Sequence, residues 1–211
     1  MIVQDMERVI LTDCDGVLLN WEYAFHVWMM RQGYKIVPGS EFSYDVGVRY
    51  NINDDVKMDK CRSFNESAAM GFIPPLRDAI QYVTKLHREH GYVFHCITSM
   101  STDPNANELR KMNLRKVFGD TVFEKFIFLD TGADKDEVLK PYADTGYHWI
   151  EDKLENAVAG KRVGLNPILI EHGHNMIRSN KPKSDPVWEE GRDIPRFSTW
   201  KGVYYHITEL E

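Results

Sequence analysis

Five short apolar runs, at 8–12, 92–98, 126–130, 147–151 and 163–170, punctuate this chain, and the stretches between most of them carry helical periodicity. That alternation predicts a parallel sheet with helices on both faces, because parallel neighbours need a crossover long enough to hold a helix. One interval breaks the rhythm. Between about 20 and 73, Trp21, Phe25, Trp28 and Met29 sit at helical spacing, Pro38-Gly39-Ser40 interrupts, and a polar stretch with Asn51, Asn53, Asp54 and Asp55 follows. Roughly fifty residues without a strong strand is too long for a simple crossover, so residues 20–73 read as a small, mainly helical cap inserted after the first strand. The core is then 1–19 and 74–211.

From Pro74-Pro75 the core pattern resumes. Leu76, Ile80, Val83 and Leu86 fall at i, i+4, i+7 and i+10 and predict an apolar helix face ending near His90-Gly91. Further helices are expected over Asn105–Val117 and Asp134–Tyr142. The segment from Lys181 to Pro195, with its prolines and charges, reads as a surface excursion. Thr199–Leu210 reads as a closing helix or strand packed by Trp200, Val203, Tyr204 and Ile207.

Chemistry enters where the first run ends. Val9-Ile10-Leu11-Thr12 stops at Asp13-Cys14-Asp15-Gly16, two carboxylates at i and i+2 beside a glycine. A carboxylate at a buried strand end is costly unless hydrogen-bonded, paired or bound to a cation, and two at this spacing suit one metal shared with one nucleophile. The spacing is wrong for a helix-loop-helix calcium site, whose glycine comes five residues after its first Asp. Taken alone, the pair fits equally well a turn in which the Asp side chains cap backbone donors.

Composition narrows the function classes. A length of 211 residues allows one sizeable core with an inserted subdomain, and 43% hydrophobic with 27% charged residues is ordinary for a globular protein. No apolar run is long enough to span a bilayer, and Gln4, Asp5, Glu7 and Arg8 stand where a signal peptide would be apolar, so a cytoplasmic protein is expected. A net charge of −6 gives no basic footprint for duplex nucleic acid and points to a small partner. Cys14, Cys61 and Cys96, odd in number and far apart, argue against a disulfide framework or zinc knuckle. Cys14, between the two acids, points to the opposite strand face and is expected to be buried.

Asp13-Cys14-Asp15-Gly16-Val17-Leu18 resembles the first motif of the haloacid dehalogenase (HAD) superfamily of phosphotransferases, and three later segments resemble its other motifs in the same order. These are Cys96-Ile97-Thr98-Ser99-Met100, Thr131-Gly132-Ala133-Asp134-Lys135-Asp136 and Tyr147-His148-Trp149-Ile150-Glu151-Asp152. The resemblance covers about residues 8–175. It implies a Rossmann-like, HAD-like α/β fold and magnesium-dependent phosphomonoester hydrolysis, with Asp13 as nucleophile forming an aspartyl-phosphate and Asp15 as general acid and base. It further implies the Thr98 hydroxyl and the backbone donors of Ser99 and Met100 holding phosphoryl oxygens, Lys135 stabilising charge on the phosphoryl group and nucleophile, and Asp13, Asp15 (through its carbonyl) and Asp152 as Mg2+ ligands. Glu151 would act through water or as an outer acceptor. Without the resemblance, Thr98-Ser99 reads as a helix cap or turn, Lys135 as a solvated lysine with Lys125 and Lys140 as rivals, and Asn156 as helix surface.

Phe72-Ile73-Pro74-Pro75-Leu76-Arg77-Asp78-Ala79, the Thr98-Ser99 pair and Asp134-Lys135 are similar to the 5'(3')-deoxyribonucleotidases. Ala133 departs from an arginine often found there. The implied substrate is a small phosphorylated molecule, a nucleoside monophosphate. A sugar-phosphate phosphatase would use the same motifs with another cap; a nucleic-acid end phosphatase is disfavoured by the charge, and a non-catalytic phosphate binder by the presence of all four charged motif residues. Trp21, Phe25 and Trp28 read first as cap core, and they, Phe42 and Tyr44 are candidate substrate contacts because aromatic faces suit a nucleobase. His172-Gly173-His174 lacks companion ligands and reads as a loop.

Overall fold

The computed structural model describes residues 8–173, 175 and 186–209. Strand β1 (Val9–Thr12) opens a six-stranded parallel sheet and is followed by an insertion of helices α1 (Trp21–Arg31), α2 (Val46–Tyr50) and α3 (Asp54–Asn65) and a 3-10 turn at Ala68–Gly71. Each helix of the insertion is started by a polar side chain accepting a backbone N–H: Asn20 from Tyr23, Asp45 from Gly47 and Asn53 from Val56. The neck of the insertion is closed by an antiparallel bridge between Leu19 and Pro75 and by the Asn20 N–H on the Pro74 carbonyl, 2.8 Å.

The sheet then builds through α4 (Ala79–His90), β2 (Val93–Ser99), α5 (Pro104–Phe118), β3 (Phe123–Leu129), α6 (Asp136–Leu139), β4 (His148–Glu151), α7 (Leu154–Arg162), β5 (Asn166–Ile170), α8 (Pro186–Glu190), β6 (Arg196–Phe197) and α9 (Trp200–Thr208). The strand order β3-β2-β1-β4-β5-β6 places β1 between β2 and β4. Alternation along β1 divides the core. Ile10, with Phe94, Cys96, Ile150 and Ile168, faces the cluster that contains Val83 and Leu86 of α4, Leu114 of α5 and Trp200 of α9. Val9 and Leu11, with Ile97 and Trp149, face Leu139 of α6 and Ala159 of α7. Both faces are therefore covered, which is why the central strand β1 is apolar and buried up to Thr12 rather than alternating. Phe25, Met29 and Phe64 of the insertion join the first cluster.

Four local expectations are corrected. The α4 face is Ala79, Tyr82, Val83 and Leu86, with Ile80 left 43% exposed. Leu76 precedes the helix across the bend at Arg77 (φ 38°), so the apolar period starts at Ala79. The helix expected over 134–142 is a single turn, α6, running into a 3-10 turn at Lys140–Tyr142 that contains Pro141. Strand β5 starts at Asn166 because the Leu165 N–H still bonds Gly160 at the end of α7. Residues 186–190 of the expected surface excursion are helical, and 181–185 lie outside the described residues. Among the described residues no helix is long and apolar enough to cross a membrane.

Candidate active site

The carboxyl ends of β1, β2 and β4 converge on one cleft, the place where an open parallel sheet leaves backbone and side chains free for a ligand. Asp13 extends β1 by one residue, its N–H still bonded to the Ile150 carbonyl at 2.9 Å. Beyond it the chain folds back sharply, with the Leu18 and Leu19 N–H groups both on the Cys14 carbonyl and Gly16 at φ 78°. A Cβ on Gly16 would lie 2.3 Å from Asp152 Oδ2, so only glycine lets the β1 loop close on the acid that ends β4.

Lys135 is the hub of the cluster. Its side chain is only 2% exposed, and its ammonium sits 2.7 Å from Asp13 Oδ1 and 2.7 Å from Glu151 Oε1, over the Trp149 ring. Burial works against the charged lysine, but Asp13 and Glu151 outweigh it and raise its pKa above the ordinary lysine range. The rivals are elsewhere: Lys125 lies over the Tyr142 ring, and Lys140 pairs with Glu137 on the surface.

Glu151 is fully occupied as an acceptor. Oε1 takes Lys135 and the Asn156 amide (2.8 Å), and Oε2 takes the N–H groups of Asp152 (2.8 Å) and Lys153 (2.7 Å). Its role here is to hold Lys135 and the start of α7. Asn156, ambiguous in the sequence, is buried and part of this network. Oxygens of Asp13, Glu151 and Asp152 all lie within 4.8 Å of one another. Burial pushes Asp13 up to about 7, with Lys135 opposing and Glu151 and Asp15 reinforcing. Burial together with Glu151 and Asp13 raises Asp152 well above the carboxylate range. Were all four carboxylates ionised, the two buried cations Lys135 and Arg110 would leave two negative charges, which a divalent cation would balance. The all-oxygen donor set fits a hard ion such as Mg2+.

Thr98 is buried at the end of β2, lines the cleft, and its hydroxyl has no protein partner among the described residues. Ser99 also lines the cleft, but its hydroxyl donates to the Ala133 carbonyl at 2.7 Å and so fixes the loop that carries Lys135. Cys14 is buried, as expected, and its sulfur accepts from the Arg110 guanidinium that also binds Asp15.

The cleft extends outward as a cavity of about 400 Å³ between the motif loops and the insertion. Of the five aromatic candidates, Trp21 and Tyr44 line it. Trp21 stacks on Phe25 (4.6 Å between centroids, 9° between planes) and donates to Asn65 Oδ1. Tyr44 is 60% exposed as a residue, yet burial of its phenol end, reinforced by nearby Asp152, Glu151 and Asp13, raises its pKa. Phe25, Trp28 and Phe42 are not on the cavity wall: Phe25 is buried behind Trp21, Trp28 packs on Phe25 and Phe64, and Phe42 leans on Gly173. The outer wall also holds the Glu22–Arg49 pair (2.8 Å) and Lys57.

Sequence reasoning passed over three residues. Arg110, fully buried on α5, pairs with Asp15. His172, read as a loop histidine, lines the cavity and donates through Nε2 to the Gly16 carbonyl at 2.6 Å. Asn175 ties the Asp152 and Ile170 carbonyls together. His174 lies outside the described residues.

No protein-family model matches the chain. A curated relative, an uncharacterized 32.4 kDa protein in the Gp30-rIII intergenic region of Enterobacteria phage T4, is 23% identical over 141 residues, 64% of this chain and 49% of its own length. The chain thus spans about half of that relative. Among solved structures, a predicted phosphatase from Clostridium acetobutylicum superposes with a TM-score of 0.64 at 13% identity, covering 97% of this chain and 100% of that one. A haloacid dehalogenase-like family hydrolase from Streptococcus pneumoniae gives 0.64 at 11% identity, covering 96% and 99%. The chain has the HAD-like fold. The D,D-heptose 1,7-bisphosphate phosphatase of B. bronchiseptica, solved with magnesium and phosphate, shares it at a TM-score of 0.54 and 12% identity over 97% and 99% of the two chains. In HAD-like terms, the four strand-end segments quoted above meet in one cleft.

Proposed function

We propose that this chain is a magnesium-dependent phosphomonoesterase acting through an aspartyl-phosphate on Asp13, with nucleoside monophosphates, deoxyribose forms foremost, as substrates. The observation that carries the reading is Lys135, buried and 2.7 Å from Asp13 Oδ1, beside Asp152. A buried ammonium held against one oxygen of a nucleophile can also receive the charge of a phosphoryl oxygen.

In this reading an Asp13 oxygen attacks phosphorus, the ester P–O bond breaks, and Asp15 gives its proton to the departing alkoxide. Water then attacks the aspartyl-phosphate, Asp15 takes its proton, and inorganic phosphate leaves with Asp13 restored. Lys135, the Thr98 hydroxyl and the backbone N–H groups of Ser99 and Met100 hold phosphoryl oxygens throughout, while the Ser99 hydroxyl fixes the loop that carries Lys135. Asp13, Asp152 and the Asp15 carbonyl would hold Mg2+, which when bound supplies positive charge for the phosphoryl oxygens and draws the two raised carboxyls into their ionised forms. Residues 20–73 act as the cap that closes this site and sets the substrate.

Trp21 supports the nucleotide reading: one face is covered by Phe25, and the residue lines a cavity whose size is in the range of small-ligand sites. Base–aromatic stacking contributes about 1 to 3 kcal/mol, roughly a tenfold to hundredfold preference. The charged outer wall of Glu22, Asp45, Arg49 and Lys57 favours, as second reading, a sugar phosphate. Turnover of dTMP, dUMP, their ribose counterparts and glucose 6-phosphate at one magnesium concentration decides between them. The expected result is a higher kcat/KM for the deoxynucleotides; a sugar phosphate ahead of every nucleotide transfers the assignment to the second reading.

A further inference from the structure

We propose that Arg110 is the positioning residue for Asp15, an inference that rests on the acid–base role given to Asp15 above. The two acids of the first motif are served by different cations from different elements: Asp13 by Lys135, and Asp15 by Arg110 of α5, which is 95 positions away. The Arg110 side chain is fully buried. Besides Asp15 Oδ1, its guanidinium reaches only two sulfurs, Cys14 Sγ and Met70 Sδ, each at 2.9 Å, and its Nε has no partner among the described residues.

Sulfurs are weak acceptors, and a guanidinium taken out of water needs strong ones. A position serving packing alone would be at least as stable with an apolar side chain of similar volume. Asp15 is therefore the partner that accounts for a charge here, and the use runs from Arg110 to Asp15. Arginine stays protonated at working pH and so gives no proton itself. It fixes one carboxylate oxygen, leaving Oδ2, which has no hydrogen bond among the described residues, to carry the proton to the leaving oxygen. Met70 stands in the 3-10 turn where the insertion returns to the core, so the same guanidinium joins the orientation of Asp15 to the seat of the insertion.

The test compares leaving groups in the full chain. Nitrophenolate departs without much help from a proton, whereas an alkoxide requires one, and kcat/KM reports only steps up to that departure. For Arg110→Met, kcat/KM on the best nucleotide is expected to fall by about 10²-fold, while p-nitrophenyl phosphate stays within about threefold. Arg110→Lys, which keeps the charge but not the planar fork, should show the same selectivity more weakly, and it serves if the Met variant fails to fold by circular dichroism. In an Asp15→Asn background, either change should add no further selectivity. Equal loss on both esters, or no loss on either, overturns the positioning role while leaving the phosphatase reading intact. A wild-type protein that hydrolyses neither ester removes that reading, and this inference with it.

Discussion

Replacing Lys135 with Met tests the electrostatics of the site apart from its chemistry. The ammonium is the one group standing between Asp13 Oδ1 and Glu151 Oε1, at 2.7 Å from each. Removing one partner of a buried ion pair typically costs about 3–5 kcal/mol, because the other is left uncompensated. Here the cost must depend on pH. Asp13 already sits at about 7 in the folded protein against 3.8 for an ordinary aspartate, and losing Lys135 moves it further up. A carboxyl raised on folding gives stability that is full below its unfolded pKa and is lost as pH rises through the folded value. At pH 5 Asp13 is protonated in both proteins and the variant loses about 1–2 kcal/mol; at pH 8, one unit above the wild-type value, about 1.4 kcal/mol is added, for a total of roughly 2–3 kcal/mol or 4–12 °C in Tm for a chain of this length. Urea unfolding of the metal-free proteins at pH 5 and pH 8, followed by tryptophan fluorescence, measures both. Equal losses at the two pH values would refute the reasoning and make Lys135 a packing residue.

Four further outcomes are expected. Asp13→Asn should abolish turnover with an unchanged circular dichroism spectrum, and Asp15→Asn should lower kcat by about 10²-fold or more; turnover near wild type in the first would sink the nucleophile assignment. Gly16→Ala forces a side chain into φ 78° and 2.3 Å from Asp152 Oδ2, so unfolding should be easier by about 1–2 kcal/mol, and the Tm gain on adding magnesium should shrink; an unaffected magnesium response would separate Gly16 from the metal site. Chelator should abolish hydrolysis, magnesium restore it, and calcium, with its larger and looser shell, inhibit it; full activity in excess chelator is incompatible with the proposed ligands.

The parts of the site that were legible in the sequence are those where charge interrupts an apolar run. Asp13, Glu151 and Asp152 end buried strands, and a carboxylate in that place needs a partner. Lys135 was legible only through its order relative to the other segments, since nothing local separates it from Lys125 or Lys140. Arg110 left no trace, because it lies among Glu108, Lys111, Arg115 and Lys116 on a helix whose sequence gives no reason to pick which charge turns inward. His172 meets the Gly16 carbonyl 156 positions away, and Asn175 that of Asp152, 23 positions away, contacts that no spacing encodes. In the fold, the strands followed from their apolar runs, whereas the left-handed turn at Arg77 moved the α4 face by overriding a good helical period. The aromatic pattern of the insertion likewise placed its rings on helices without telling wall from interior: Trp21 and Phe25, four residues apart, stack on each other, and only Trp21 meets the cavity.

The central place of β1 has a consequence for synthesis. The first strand made is flanked by two of the later ones: Val9 pairs with Val93, and Ile10 with His148, 138 positions on. At about 5–20 residues per second, a ribosome needs roughly 7–28 s to cover that distance. For that time an apolar strand ending in Asp13 has at least one unpaired edge, which is a template for pairing with other nascent chains. Fragments that stop short of residue 148 should accordingly depend on chaperones to stay in solution, because the β1 edge that β4 covers is still open.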